Sequence, residues 1–203
     1  MTDFNNAARS WDSNNIHAQR SEAIAKNLLA RIEIKPEMKA LEFGAGTGIL
    51  SFMLADRFSS ITMMDAASEM VAVMQEKVEA SPSKNLHTVL FDLTKQRYDV
   101  ADFDCVFTQM ALHHVADTQD ILNRFFKLLG KGGYLVVADL FAEDGSFHGA
   151  GFDGHNGFDA VELEEMMKKA GFQNVQTETC FTMQKMTPEG MKDFPIFLMI
   201  ARN

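Results

Sequence analysis

Ala40-Leu41-Glu42-Phe43-Gly44-Ala45-Gly46-Thr47-Gly48 is the stretch that decides how this 203-residue chain folds. Its first half is short and apolar, as a strand buried on both faces must be. Its second half sets glycines at 44, 46 and 48, where a backbone can turn sharply and a ligand can approach without side-chain obstruction. A helical pattern over 48–57 follows. Strand, glycine turn and helix in that order make a cofactor corner. A dinucleotide-binding turn would place its third glycine at position 49, which is Ile49, whereas G-x-G-x-G matches as it stands.

Outward from that corner, strand-like and helix-like segments alternate, the pattern of an α/β domain with a mainly parallel sheet. The strand candidates are 39–43, 60–65, 86–91, 104–108 and 133–139; helical patterns occupy 48–57, 68–79 and 118–129, the last with Gly130 placed to end it. Upstream, Ile24, Leu28 and Ile32 recur at spacings of four and give 16–32 one amphipathic stripe, after a polar arm over 1–15. Downstream, 141–158 carries glycines at 145, 149, 151, 154 and 157 and has no period, a length and make-up typical of functional loops. Asp159 with Glu162 has the form of a capping box, opening a helix that Gly171 closes. Segments 172–185 and 195–203 then alternate as two strands with no helix between them, so a hairpin would turn the last strand antiparallel. The chain reads as one domain over 1–203, with 1–35 as an arm and helix covering the site.

Composition narrows the function. Nineteen basic against 28 acidic residues give a net charge of −9, which repels a nucleic-acid backbone in the absence of a basic patch. The longest apolar run, 196–201, is too short to cross a bilayer, and the start lacks the build of a secretion signal; neither nucleic acid nor membrane is expected as a partner, and the expected location is cytoplasmic. The two cysteines, Cys105 and Cys180, fall in strand candidates and read as buried thiols. Fourteen Met and 17 Phe exceed what a core needs and leave room for an apolar substrate pocket.

Asp65 ends the second strand candidate nineteen residues beyond Gly46, where a carboxylate accepts both hydroxyls of a ribose, or stands as a strand-end acid with no task. Asp92 ends the third strand in the same layer, on the ligand side of a doubly wound sheet.

With these residues in view, the chain resembles the class I S-adenosylmethionine-dependent methyltransferases, in particular the small-molecule group related to the ubiquinone and menaquinone methylases. Glu42-Phe-Gly44-Ala-Gly46-Thr-Gly48 is similar to their first motif, Asp65 to their ribose acid and Phe91-Asp92-Leu93 to their adenine turn. The runs 104–115 and 128–137 are similar to their fourth- and fifth-strand motifs. The resemblance implies a Rossmann-like, doubly wound seven-stranded sheet with the last strand antiparallel, and S-adenosylmethionine lying across the ends of strands one to four. Glu42 would orient the methionine amino group, with Gly44, Ala45, Gly46 and Gly48 facing the methionine and ribose portions. Ala66 and Met70 would pack near the adenosine, Asp92 would take the adenine amino group and Leu93 its ring edge. Gln109 and Met110 would border the reacting methyl. The acceptor has no shared signature, so a small molecule is implied without being identified.

A sulfonium methyl is already electrophilic, and the expected reaction is direct in-line displacement with the acceptor aligned and water excluded. A histidine is the natural proton acceptor at neutral pH. His113, after the fourth strand, and His148 and His155, in the glycine-rich loop, are the candidates; His113 and His114 also read as a structural pair. His148, Asp153 and His155 raise a metal reading by ligand type, set against plain turn residues of a lid, and no metal is expected. Trp11-Asp12 reads as a cover for the site or as a pin for the arm, and Arg20 as a partner for a carboxylate or as an exposed helical arginine. Two other functions share the fold: a nicotinamide-dependent oxidoreductase, and a cofactor-binding protein without transfer activity.

Overall fold

The computed structural model describes residues 4–203; the first three residues of the expected arm lie outside the described residues. Strands β1 (Lys39–Phe43), β2 (Ser60–Asp65), β3 (Leu86–Leu90), β4 (Phe103–Gln109), β5 (Leu129–Leu140), β6 (Gln173–Thr187) and β7 (Gly190–Arg202) form one sheet in the order β3-β2-β1-β4-β5-β7-β6. The first five are parallel, and β7 runs antiparallel to both β5 and β6. This is the seven-stranded Rossmann-like sheet expected from the sequence. Chain order reverses between β1 and β4, so the crevice beyond their carboxyl ends is the switch point at which open α/β sheets take their ligands.

Alternation along the strands builds two cores. Ala40, Cys105, Phe107, Val136 and Ala138 face one side, where they meet Ile24 and Leu28 of α2 (Asn15–Arg31), Leu50 and Leu54 of α3 (Ile49–Leu54) and Met74 of α4 (Ser68–Ala80). Leu41, Phe43, Val106, Leu135 and Val137 face the other, against Ile121 and Phe125 of α5 (Thr118–Leu128) and Leu163 and Met167 of α6 (Ala160–Ala170). Side chains two apart share a face, so the apolar runs that looked continuous in sequence divide between two helical layers.

Three expectations are corrected. Gly130 does not end α5: the helix stops at Leu128, and Gly130 already belongs to β5. The arm is not simply polar chain but two short helical turns, α1 (Phe4–Ala7) and a 3-10 segment (Ala8–Ser13), laid against α4 by Arg9 to Glu76 at 2.6 Å and by the Glu69 N–H donating to Asn5 at 3.0 Å. The final hairpin is longer than read, because β7 runs through Pro195. That proline falls where pairing with β5 ends at Ile196 and only β6 remains alongside, so its missing N–H spares the double-paired part of the strand.

The loop 141–158 is tied at its base and flank. Its base is closed by Ala142 N–H to the Phe158 carbonyl at 2.9 Å and Glu143 N–H to the Asn156 carbonyl at 2.9 Å, while Lys192 on β7 holds Asp144 at 2.5 Å. Gly157 is there because a Cβ would sit 2.1 Å from the Phe141 carbonyl oxygen and φ is +73°.

Asp159 accepts from the N–H groups of Val161 at 2.8 Å and Glu162 at 3.1 Å, capping α6, and Gly171 at φ +113° ends it. Asp159→Ala is expected to lower stability by about 1 kcal/mol in urea unfolding with little change in slope; a midpoint equal to that of the parent chain would mean the cap carries no weight.

Candidate functional site

At the end of β1 the backbone turns through Gly44, Gly46 and Gly48, at φ +65°, +58° and +81°. A Cβ on Gly44 would stand 2.5 Å from the Ala111 side chain beyond β4, which is how closely the two strands pinch at the switch point. Glu42 shares a sheet face with Ala40 and meets Ser51 of α3, whose hydroxyl donates to Oε2 at 2.5 Å. Its other oxygen, Oε1, is buried without a hydrogen-bond partner. Burial pushes the carboxyl up to about 8, against the Ser51 hydrogen bonds, so the group stands largely neutral at pH 7. An orphaned, fully buried carboxyl oxygen beside a glycine cradle is costly unless a donor arrives.

Asp65, at the end of β2, closes the other side of the cradle. Its Oδ2 accepts from the Gly46 N–H at 2.7 Å and its Oδ1 from the Ala67 N–H at 2.8 Å. Burial raises its carboxyl above the usual range, and these two donors pull the other way. Each oxygen keeps a second lone pair.

The arm lies over this turn. Asp12 takes the Thr47 hydroxyl at 2.5 Å and the Lys77 ammonium at 2.7 Å, and Lys77 also reaches the Thr47 carbonyl at 2.8 Å. A Cβ on Gly46 would come within 3.9 Å of the Trp11 indole nitrogen. Phe4 packs edge-on against Trp11 and against His114, with ring centroids 6.0 and 5.1 Å apart.

The other sequence-selected residues fall in three places. Ala45 and Met70 are buried at the turn and at the first turn of α4, and Ala66 is exposed beside Asp65. Asp92 follows β3, but its carboxylate is taken up by Thr94, from both N–H and hydroxyl, and by Lys95 at 2.8 Å; the Leu93 side chain is core, 1% exposed. Gln109 and Met110 end β4: the Gln109 side-chain oxygen accepts from Ser21 at 3.0 Å, and Met110 sits at φ +51°. A left-handed methionine is uncommon, and such strain is held where the surroundings over-determine it.

Beyond β4 lies a cluster that sequence reasoning missed. His113 is 1% exposed and its Nδ1 lies 2.6 Å from Asp139 Oδ1 on β5; Asp139 also accepts from the N–H groups of His113 and Leu140. His114 and His148 join it, with ring centroids 4.1 and 4.9 Å from that of His113. Phe152 stacks on His148 at 3.9 Å and stands edge-on to His114 at 5.4 Å. Burial pushes both His114 and His148 down to about 4, helped by the neighbouring His113, so both are neutral at physiological pH. His155 is not part of the cluster: its Nε2 is engaged by the Val115 carbonyl at 2.9 Å and the Thr118 hydroxyl at 3.2 Å, a pin for the loop.

Arg20, weighed as an exposed arginine, is instead buried on α2, 6% exposed, with Nε unpartnered. Burial brings it down to about 10 and Asp139 opposes the shift, so Arg20 and Asp139 bracket the site with opposite charges. Its place was legible, for Arg20 continues the stripe Ile24, Leu28, Ile32 by four residues. A cavity of about 530 Å³ between the loop and the β6–β7 turn is lined by Asp144, Gly149, Phe152 and Thr187, and Phe152 is the wall it shares with the histidines.

A family model described as a methyltransferase domain matches residues 16–177. An uncharacterized methyltransferase of Schizosaccharomyces pombe is 30% identical over 158 residues, covering 70% of this chain and 56% of that protein. The chain thus spans just over half the length of that curated relative. Among solved structures, the YcgJ protein of Bacillus subtilis has the same fold at a TM-score of 0.73 and 14% identity, covering 90% of this chain and 98% of that one. Haemonchus contortus phosphoethanolamine N-methyltransferase 2, solved in complex with S-adenosyl-L-methionine, superposes at a TM-score of 0.72 and 16% identity over 100% of this chain and 60% of that one.

Proposed function

Because this chain belongs to the family whose methyltransferase domain model matches 16–177, we propose that it is a class I enzyme that transfers a methyl group from S-adenosylmethionine to a small-molecule acceptor. The observation that carries this reading is the buried, unpartnered Oε1 of Glu42 at the foot of the glycine turn, a waiting acceptor for an ammonium donor. S-adenosylmethionine, when bound, supplies a sulfonium methyl that needs no further activation.

In this reading Glu42 receives the amino group of the methionine portion and becomes charged as it does so. Gly44, Ala45, Gly46 and Gly48 line the approach to that portion, and the free lone pairs of Asp65 accept the ribose hydroxyls. Ala66 and Met70 flank the adenosine, and Leu93 supports the adenine turn through the core. Asp92 holds Thr94 with Oδ1 and Lys95 with Oδ2, and the second lone pair of Oδ2 is left for the adenine amino group. Gln109 and Met110 border the methyl, and Trp11, whose indole nitrogen approaches Gly46, covers the glycine turn.

The remaining tasks are alignment and exclusion of water, which lower a barrier by roughly 7 to 11 kcal/mol when the reacting groups are held in line. Phe4 of the arm and Phe152 of the loop both rest on His114, so the two covers meet over the histidines and the acceptor enters beside Phe152. His113, oriented by Asp139, offers its Nε2 lone pair to an acceptor O–H or N–H. We extend the reading to one domain over 1–203 working in the cytoplasm, with motifs of the ubiquinone and menaquinone methylase kind.

The test is release of S-adenosylhomocysteine from S-adenosylmethionine in the presence of a panel of small phenols, amines and carboxylates. Acceptor-dependent release supports the reading; binding of the cofactor with no release for any acceptor favours the binding-only alternative. Hydrogen exchange adds a check on the cover. The segments 4–13 and 144–153 are expected to gain protection together when S-adenosylhomocysteine binds, the loop base being hydrogen-bonded already. Protection of neither would remove the cover from the account.

A further inference from the structure

We propose that His113, His114 and His148 form a binding site for one divalent transition-metal ion, of the zinc or cobalt kind, on the acceptor side of the cradle. The potential ligand atoms of these three side chains all lie within 4.8 Å of one another. Nε2 of His113 and Nε2 of His148 are buried with no hydrogen-bond partner, an arrangement that stands at a cost unless something fills it.

The support behind His113 is what a metal ligand requires. Asp139 already accepts from two backbone N–H groups and stands as the acceptor for Nδ1–H of His113 at 2.6 Å, a donation that fixes the tautomer and leaves Nε2 as a bare lone pair. A carboxylate holding the far nitrogen of a ligating imidazole is the common outer partner of protein metal sites. Three imidazoles select zinc-like ions over magnesium or calcium, which want oxygen donors, and three protein ligands leave a fourth position open. Tetrahedral bonds of about 2.0 to 2.1 Å set the nitrogens roughly 3.3 Å apart. The rings of His114 and His148, only half-buried, close that gap by side-chain rotation.

Charge around the cluster points to what fills the open position. Asp139 and Asp153 on one side and the buried Arg20 and Lys185 on the other offset each other, so a dication adds unbalanced positive charge that an anionic acceptor oxygen would reduce. Metal ligation and proton acceptance use the same His113 lone pair, so in a loaded site His113 would not be the base; the ion would lower the pKa of a bound acceptor O–H, whose proton would pass to solvent. Of the other loop candidates, His155 is held by Val115 and Thr118 and stays outside the set, whereas Asp153 lies close enough to His114 to act on it electrostatically.

Tag-free, chelator-stripped protein titrated with Co²⁺ is the test. The expected result is one equivalent bound, with the visible absorption of a four-coordinate ion, displaced by Zn²⁺. His148→Ala should weaken binding at least 100-fold, and Asp139→Asn 10- to 100-fold, the size of an outer-partner loss. His87→Gln, an exposed histidine on β3, should leave it unchanged. Absence of a stoichiometric site, or binding that His148→Ala leaves intact, overturns the proposal. Wherever His113 variants fail to fold, His148 on the loop still decides. S-adenosylhomocysteine binding by the metal-free parent chain, measured alongside, tests the methyltransferase reading by itself, because the cradle of Glu42 and Asp65 contains none of the three histidines.

Discussion

Asp65→Ala is expected to weaken S-adenosylhomocysteine binding by on the order of 100-fold or more, as the loss of two charge-assisted hydrogen bonds of about 1.5 to 3 kcal/mol each requires. The carboxylate has room for this task because its bonds to the Gly46 and Ala67 N–H groups use one lone pair on each oxygen. The same bonds change the prediction that sequence alone suggests, in which binding suffers and folding is spared. Removing Asp65 also strips two backbone donors of their partner, so urea unfolding should show a lower midpoint as well. Asp65→Asn, which keeps one acceptor oxygen, should fall between the parent and the alanine variant in calorimetry. A dissociation constant unchanged by Asp65→Ala would place the ribose elsewhere.

Gly44→Ala is expected to lower stability by about 2 to 5 kcal/mol and to abolish measurable cofactor binding. Left-handed backbone in an L-residue costs about 1 to 2 kcal/mol, and forcing a methyl into a filled site typically costs about 1 to 3 kcal/mol more. Both apply, since φ is +65° and the new carbon would stand 2.5 Å from the Ala111 side chain. Gly132→Ala separates the two terms: φ is +77° there, but nothing lies within 4 Å of the added carbon, so it should lose only the backbone part. Equal losses at the two positions, by urea denaturation, would show that the pinch between β1 and β4 carries no energy.

The sheet was readable because its evidence is local. Short apolar runs ended by Asp65 or the glycine turn read as buried parallel strands, and β1 and β2 begin and end where their residues suggest; β3, the run before Asp92, is an edge strand in which Leu86 alone is buried. Gly130 misled because glycine after a helical pattern reads as a cap, whereas here α5 passes straight into β5 with Leu129 extended at ψ 135°. The arm misled for a related reason: Phe4–Ala7 and Ala8–Ser13 are helical through contacts with α4, not through any periodicity of their own.

The glycine turn was legible from spacing, with Asp65 at the next strand end as a candidate, whereas Glu42 was singled out only through the family resemblance. The histidine cluster was not legible. His113 and His148 are separated by all of α5 and β5, and they meet because loop 141–158 folds back across the end of β4, with the His155 N–H bonded to the His113 carbonyl at 2.8 Å. Ligand type picked out His148 and His155, while the fold chose His113, His114 and His148. The usable signal was the position of a histidine-bearing loop directly after the strand next to the His113-His114 pair.

The central claim is that the turn at residues 44–48, with Glu42 and Asp65, is a cradle for S-adenosylmethionine and not for a dinucleotide. Isothermal titration of the parent chain with S-adenosylhomocysteine, and separately with NAD, tests it most directly. The account predicts saturable binding of one S-adenosylhomocysteine per chain and no heat from NAD. Saturable NAD binding with none for S-adenosylhomocysteine would contradict it and return the fold to the oxidoreductase reading.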